Sequence, residues 1–296
     1  MAEVGLLEKT VKMLRPVLPR RFRGDIPVVP VVRLTGIIGF STPLRPGLTL
    51  ASVAKPLDRA FAWPRARAIA LLINSPGGSA VQSHLIFQRI RQLAAEKERT
   101  VIAFVEDVAA SGGYMIACAA DEIVADPSSI VGSIGVIGAS FGFAKLIDKI
   151  GVERRIYTSG TNKAMLDPFL PENPEHVARL KAIQEDIHRT FIDLVKSRRG
   201  AKLTGPEHDL FSGEYWATRK GMEYGLVDRI GDLRSTLRAR YGEKVETPLV
   251  APKSSLFGRT APGVEAGLDA LLNRPALSDE LISSLEARAM WARYGL

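Results

Sequence analysis

Asp107-Val108-Ala109-Ala110-Ser111-Gly112-Gly113-Tyr114-Met115-Ile116-Ala117 joins two apolar runs through a serine and two glycines. The run before it, Val101-Ile-Ala-Phe-Val105, has strand character, and Tyr114 to Ala120 after it is small and apolar enough for a buried helix. A serine at a strand-to-helix turn projects its hydroxyl, and following glycines let a substrate backbone approach closely. The start of the helix also leaves N–H groups free to face an anion. Taken alone, the pattern reads more simply as an N-cap serine, Ser111, with Gly112-Gly113 as a turn.

The flanking sequence repeats the alternation. Ala68 to Ile73 reads as a strand and runs into Asn74-Ser75-Pro76-Gly77-Gly78, and Ser79 to Leu93 follows as an amphipathic helix through Val81, Leu85, Ile86, Ile90 and Leu93. Upstream, Val28 to Leu34 is a strand candidate that Gly36 to Phe40 continues or returns from, and Leu50 to Phe61 has helical spacing with Pro56 inside it. Asp121 to Val124 reads as another short strand. Apolar strands alternating with helices predict an α/β fold around a buried, parallel-rich sheet. Downstream, the pattern predicts helices at Phe143–Ile150, Val177–Val195 and Glu214–Tyr224, and a strand at Arg154–Thr158. Pro248 to Gly263 has linker composition, followed by helical patterns at Val264–Leu272 and Ser278–Tyr294. No long internal repeat is present, so the chain carries one copy of its unit.

Composition narrows the function classes. With 46% hydrophobic and 24% charged residues, the chain can bury one large core. The net charge of +8 suits an anionic membrane surface, nucleic acid, or simple solubility. The single cysteine, Cys118, excludes an intramolecular disulfide and an all-cysteine zinc site, and its apolar setting predicts a small buried hydrophobe. No run reaches the roughly 18 apolar residues of a spanning helix, and no apolar signal core opens the chain. A cytoplasmic protein is the expectation. Half of the charge excess lies in Met1–Gly24, a net +4 segment whose Val4, Leu7, Val11 and Leu14 share a helical face. Such a helix either lies peripherally on an anionic inner-membrane surface or packs on protein. The expected organisation is a basic amphipathic helix over residues 1–25, a catalytic domain over 26–246, and a linker with helical tail over 247–296.

A serine nucleophile needs a base. His84, His176, His188 and His208 sit in helical or loop contexts that do not suggest a catalytic pocket, and no pair has i,i+4 metal spacing. A lysine can serve if burial keeps its amine neutral. Lys163, in Ser159-Gly-Thr-Asn-Lys163-Ala-Met-Leu-Asp-Pro168, has neighbours able to form such a pocket, or is an ordinary solvated loop lysine.

These three stretches together resemble the signal peptide peptidase A group of serine peptidases, peptidase family S49, in its short single-domain bacterial form. The resemblance spans about Val28 to Leu233. It implies a crotonase/Clp-protease-like fold with flanking helices, and a serine endopeptidase using a Ser–Lys dyad. Lys163 lies 52 residues after Ser111, with Gly160 before it and Pro168 after it, as the family pattern has it. The resemblance assigns Ser111 as nucleophile, Lys163 as base and Ser133 as the hydroxyl that orients the lysine. The backbone N–H groups of Gly78 and Gly112 become the oxyanion donors. No metal or cofactor is implied. Implied partners are extended peptides such as cleaved signal peptides and further copies of the chain in a ring or dome; no nucleic acid is expected. Family members are commonly membrane-anchored, and this chain departs from that pattern. A Ser-His-Asp peptidase of the Clp type and a catalytically silent membrane scaffold are the competing readings.

Overall fold

A computed structural model describes residues 26–39, 47–251, 285 and 287–296. The strand-and-helix alternation unfolds in chain order as β1 (Val31–Thr35), α1 (Leu50–Phe61), β2 (Ile69–Ser75), α2 (Ala80–Glu96), β3 (Val101–Ala110), α3 (Gly112–Ala117), β4 (Glu122–Ala125) and β5 (Ile130–Gly132). Then come α4 (Ala144–Lys149), α5 (Pro174–Arg199), β6 (Tyr215–Ala217), α6 (Thr218–Glu223), β7 (Arg229–Ile230) and α7 (Leu233–Tyr241). The expected basic helix over residues 1–25 and the helix at Val264–Leu272 lie outside the described residues.

The sheet runs β1-β2-β3-β4-β7, every neighbouring pair parallel. β3 is the long central strand, and it changes partner along its length. Its first half pairs with β4 through Ile102–Val105, and its last three residues pair with β5 through Val108–Ala110. β5 carries the one antiparallel neighbour among the described strands, β6. Near-continuous burial of β2 and β3 follows from cover on both faces. On one face, Leu57, Phe61, Ile86, Ile90, Tyr114 and Ile116 pack from the helices; on the other, Ile102, Phe104 and Val124 meet Leu237 of α7. Each large aliphatic side chain so buried contributes about 1.5–3 kcal/mol.

α1 matches the predicted span despite Pro56, helped by a reciprocal Thr49–Ser52 capping box. Two expectations are corrected. Arg154–Thr158 is not a strand: Arg154 turns instead to an ion pair with Asp167, and among the described residues no strand pairs with this segment. The predicted helix at Glu214–Tyr224 begins as β6, because Tyr215–Ala217 fill the free edge of β5 before α6 starts. Pro248–Val250, read as linker, line the edge of β1 through the bonds Val31 N–H to Pro248 O and Val250 N–H to Val31 O. Among the described residues no helix is long and apolar enough to cross a membrane.

Candidate active site

In parallel α/β sheets, ligand sites form outside the carboxyl ends of the strands. Here β2 ends in the Asn74–Gly78 loop, β3 ends at Ser111, and β5 ends at Ser133. The sheet itself thus gathers Ser111, Gly78, Gly112 and Ser133 at one edge.

Ser111 holds φ 52°, ψ −123°, a conformation that L-residues rarely adopt. Such strain costs about 1–3 kcal/mol and persists only where the surroundings over-determine it. They do: Ser111 N–H donates to Gly132 O at 2.8 Å, and Ser111 O accepts from Met115 N–H at 3.0 Å. Ser111 occupies the N-cap position of α3, yet its hydroxyl makes no capping bond. The simple N-cap reading therefore fails for the side chain, which is left partly exposed at a sharp strand-to-helix elbow.

Gly77 packs against this elbow. A Cβ on it would sit 2.8 Å from Ser111 Cβ and 2.9 Å from Gly112 N, and its φ of +100° already favours glycine. The loop is anchored by a parallel bridge in which Ile38 N–H donates to Gly77 O and Ser79 N–H to Ile38 O, both at 2.8 Å. In a parallel bridge the flanking residues make both bonds, so the N–H of Gly78 points away from Ile38. Neither the Gly78 nor the Gly112 N–H has an acceptor among the described residues. Beneath the loop, Ser75 Oγ donates to Gly36 O at 2.7 Å and accepts from Gly77 N–H at 3.2 Å.

Ser133 is buried, also with positive φ (54°), and is held by its N–H to Glu214 O at 2.6 Å. Sequence reasoning did not place two side chains that lie close by. His188 Nε2 lies 3.0 Å from Ile134 O, and the Tyr294 hydroxyl lies 3.2 Å from Ser133 Oγ. No local pattern marks either residue, since one lies on α5 and the other in the tail.

Below the elbow, α3 rests on a buried polar cluster. Tyr114 OH donates to Leu226 O at 2.9 Å, and Arg199 pairs with Asp228 at 2.7 Å while donating to Gly225 O. Burial raises the Asp228 carboxyl, but hydrogen bonds from Arg199, Lys202 and Ile123 N–H outweigh it and hold the group below its usual 3.8. Cys118 is buried, as its setting predicted, and burial pushes its thiol up to about 12, which keeps it inert.

Lys163 stands apart. It is exposed on the arm formed by residues 136–172, with no side-chain hydrogen bond among the described residues. Ala164, Met165 and Leu166 are half-buried, while Gly160 and Thr161 are exposed. Among the described residues the lysine stays exposed rather than enclosed in the desolvating pocket expected of it.

A strained serine stands at the mouth of the parallel sheet, with backbone N–H groups beside it that are unpartnered among the described residues. The "Peptidase family S49" model matches residues 94–245, and the chain belongs to that family of serine-type peptidases. The chain is 56% identical over 290 residues to the "Na(+)/H(+) antiporter NhaA" of Brucella abortus, covering 96% of this chain and 39% of that relative. It is 31% identical over 229 residues to "Serine protease SPPA, chloroplastic" of Arabidopsis thaliana, covering 72% and 33%. It is 30% identical over 220 residues to "Putative protease slr0021" of Synechocystis, covering 72% and 78%. The chain thus spans about two fifths of the Brucella relative.

Proposed function

We propose that the chain hydrolyses peptide bonds through an acyl-enzyme on Ser111. The supporting observation is the elbow: a strained, uncapped serine flanked by the free N–H groups of Gly112 and Gly78. Ser111 Oγ attacks the scissile carbonyl carbon and its proton passes to the neutral Lys163 amine. The two glycine N–H groups stabilise the oxyanion, each such donor being worth about 10²–10³ in rate. Lys163 then protonates the leaving amine as the C–N bond breaks, and water, deprotonated by the same lysine, releases the acyl group. Ser133 orients the lysine by a hydroxyl hydrogen bond, which adds no charge. Extended peptides of the signal-peptide kind are the substrate class.

Lys163 must be brought to Ser111 and desolvated. The arm exposes Ile137, Phe141, Ile150, Val152 and Tyr157. Exposed apolar side chains of this kind fit a second copy of the chain, which would bury the arm within a homo-oligomer and complete the dyad. The test is mass spectrometry of the intact protein after a serine-reactive fluorophosphonate. Modification of Ser111 alone is expected; a protein modified at another serine, or at none, removes Ser111 as the nucleophile.

A further inference from the structure

The two backbone donors of the site stand at the starts of two neighbouring helices. Gly78 directly precedes Ser79, the N-cap of α2, and Gly112 is the first residue of α3. Their mutual placement therefore depends on how α2 and α3 lie against each other.

Near the site the two helices touch with no room to spare. Ser83 of α2 is fully buried and donates through Oγ to Ser79 O at 2.8 Å; a Cβ on Gly112 would sit 2.2 Å from that Oγ. Farther along, they are joined by charge. Arg91 of α2 lies about 18 Å from Ser79 at 1.5 Å per residue. From one nitrogen, Nη1, it donates to Ala119 O at 3.0 Å and to Asp121 Oδ1 at 2.9 Å. Arg198 of α5 takes the carbonyls on either side, donating through Nε to Cys118 O at 2.9 Å and through Nη2 to Ala120 O at 3.0 Å. Asp121 closes the junction. Its Oδ2 accepts from Val101 N–H at 2.9 Å, which ties the exit of α3 to the start of β3, the strand that ends at Ser111.

We infer that Arg91 is a positioning residue for the oxyanion site. With the Ser83–Gly112 contact as pivot, its grip on Ala119 and Asp121 fixes the angle between α2 and α3, and so the spacing of the Gly78 and Gly112 N–H groups. The inference rests on the Ser111 reading of the site. Arg198 holds the same turn from α5, which carries no donor, so it steadies α3 without coupling it to Gly78.

The test follows fluorophosphonate labelling of Ser111 at several probe concentrations, at a temperature where circular dichroism shows each variant folded. This separates the limiting rate, kinact, from the half-saturating concentration, KI. As Ser111 Oγ bonds phosphorus, with its proton passing to the base and fluoride leaving, the phosphonyl oxygen gains charge that the two donors stabilise. Arg91→Met keeps the stem and loses the charge. It should lower kinact about tenfold with KI unchanged, the signature of a contact made only in the transition state. Arg91→Lys should recover most of that rate, because one ammonium can meet both acceptors that Nη1 meets. Arg89→Met removes an ion pair between α2 and Asp58 of α1, and should leave kinact as in wild type. A lowered melting temperature in Arg91→Met with unchanged kinact would show that Arg91 merely packs, and overturns the inference. So does an equal loss of kinact in Arg89→Met, which would mark a general loosening of α2. Should Arg91→Met not fold, Arg91→Gln replaces it, and a kinact equal to that of Arg91→Lys overturns the inference. A wild type labelled at another serine, or at none, overturns the nucleophile and the inference with it; a wild type labelled at Ser111 beside an unimpaired Arg91→Met overturns the inference alone.

Discussion

The elbow around Ser111 and the arm around Lys163 are built in opposite ways. Every residue from Gly112 to Ala120 is buried, and the elbow is bonded to β5, packed against Gly77 and supported by the Arg199–Asp228 pair beneath α3. The arm makes much of its packing within itself. Phe143 N–H donates to Pro168 O at 2.6 Å, the Phe143 and Phe169 rings lie 5.6 Å apart, and Arg154 stacks on Phe169 while pairing with Asp167. The Phe169 N–H and Arg154 hold the Asp167 carboxyl below its usual range. α4 buries none of its residues, and Tyr157 is 90% exposed. A nucleophile held in a strained conformation needs a rigid core to keep it there. In the proposed mechanism, a base on this exposed arm gains its final environment only from another surface.

The sharpest test of that contrast pairs Ser111→Ala with Lys163→Arg. Both should lower kcat by about 10⁴ or more, as removal of a catalytic nucleophile or base does in serine peptidases. The arginine fails because a guanidinium stays protonated and cannot accept the Ser111 proton. Neither change should move the melting temperature beyond the effect of about 0.5 kcal/mol typical of surface substitutions. His84, His176, His188 and His208 changed singly to Gln should keep the activity. A histidine variant as inactive as Ser111→Ala, beside an active Lys163→Arg, would replace the Ser–Lys reading by a Ser–His one.

The core side of the contrast breaks at Asp228. Asp228→Asn leaves Arg199 buried at 3% side-chain exposure without its counter-charge. Removing one partner of such a pair costs about 3–5 kcal/mol, read by denaturant unfolding. The sign with pH follows from the depressed carboxyl: its stabilisation is full above the unfolded value of 3.8 and is lost as pH falls through the lower folded value. Wild type and Asp228→Asn should therefore converge in stability in that acid window and diverge above it. Equal stabilities at neutral pH would show that the pair does not support α3.

The smallest effect should come from Gly77→Ala. Its Cβ would press within 2.8 Å of Ser111 Cβ, displacing the elbow without unfolding the sheet. A misplacement of about 1 Å costs roughly 10² in kcat. An active Gly77→Ala protein would mean that the elbow tolerates movement and is less rigid than the packing indicates.

Periodicity made β2, β3, α1 and α2 legible, because apolar side chains that face a core must recur with the period of the element. The Ser-Gly-Gly and Pro-Gly-Gly turns were legible for a related reason: a reversal at the end of a strand demands residues that tolerate it. Edge elements were less so. Tyr215–Ala217 carry a helical pattern, and only the open edge of β5 draws them into a strand. The approach of Tyr294 to Ser133 joins residues 161 positions apart, with no local pattern to announce it.

The alternation of strands and helices from β1 to β4, the serine at the end of β3 and the glycines that let other chain segments reach it follow from sequence alone, since each is a local demand on backbone or hydrophobic spacing. The unusual conformation of Ser111, the outward-facing N–H of Gly78 and the approach of Tyr294 to Ser133 were decided by tertiary structure. Each depends on which distant segments come to lie side by side, and that is settled by the packing of the whole sheet rather than by the residues next to it in the chain.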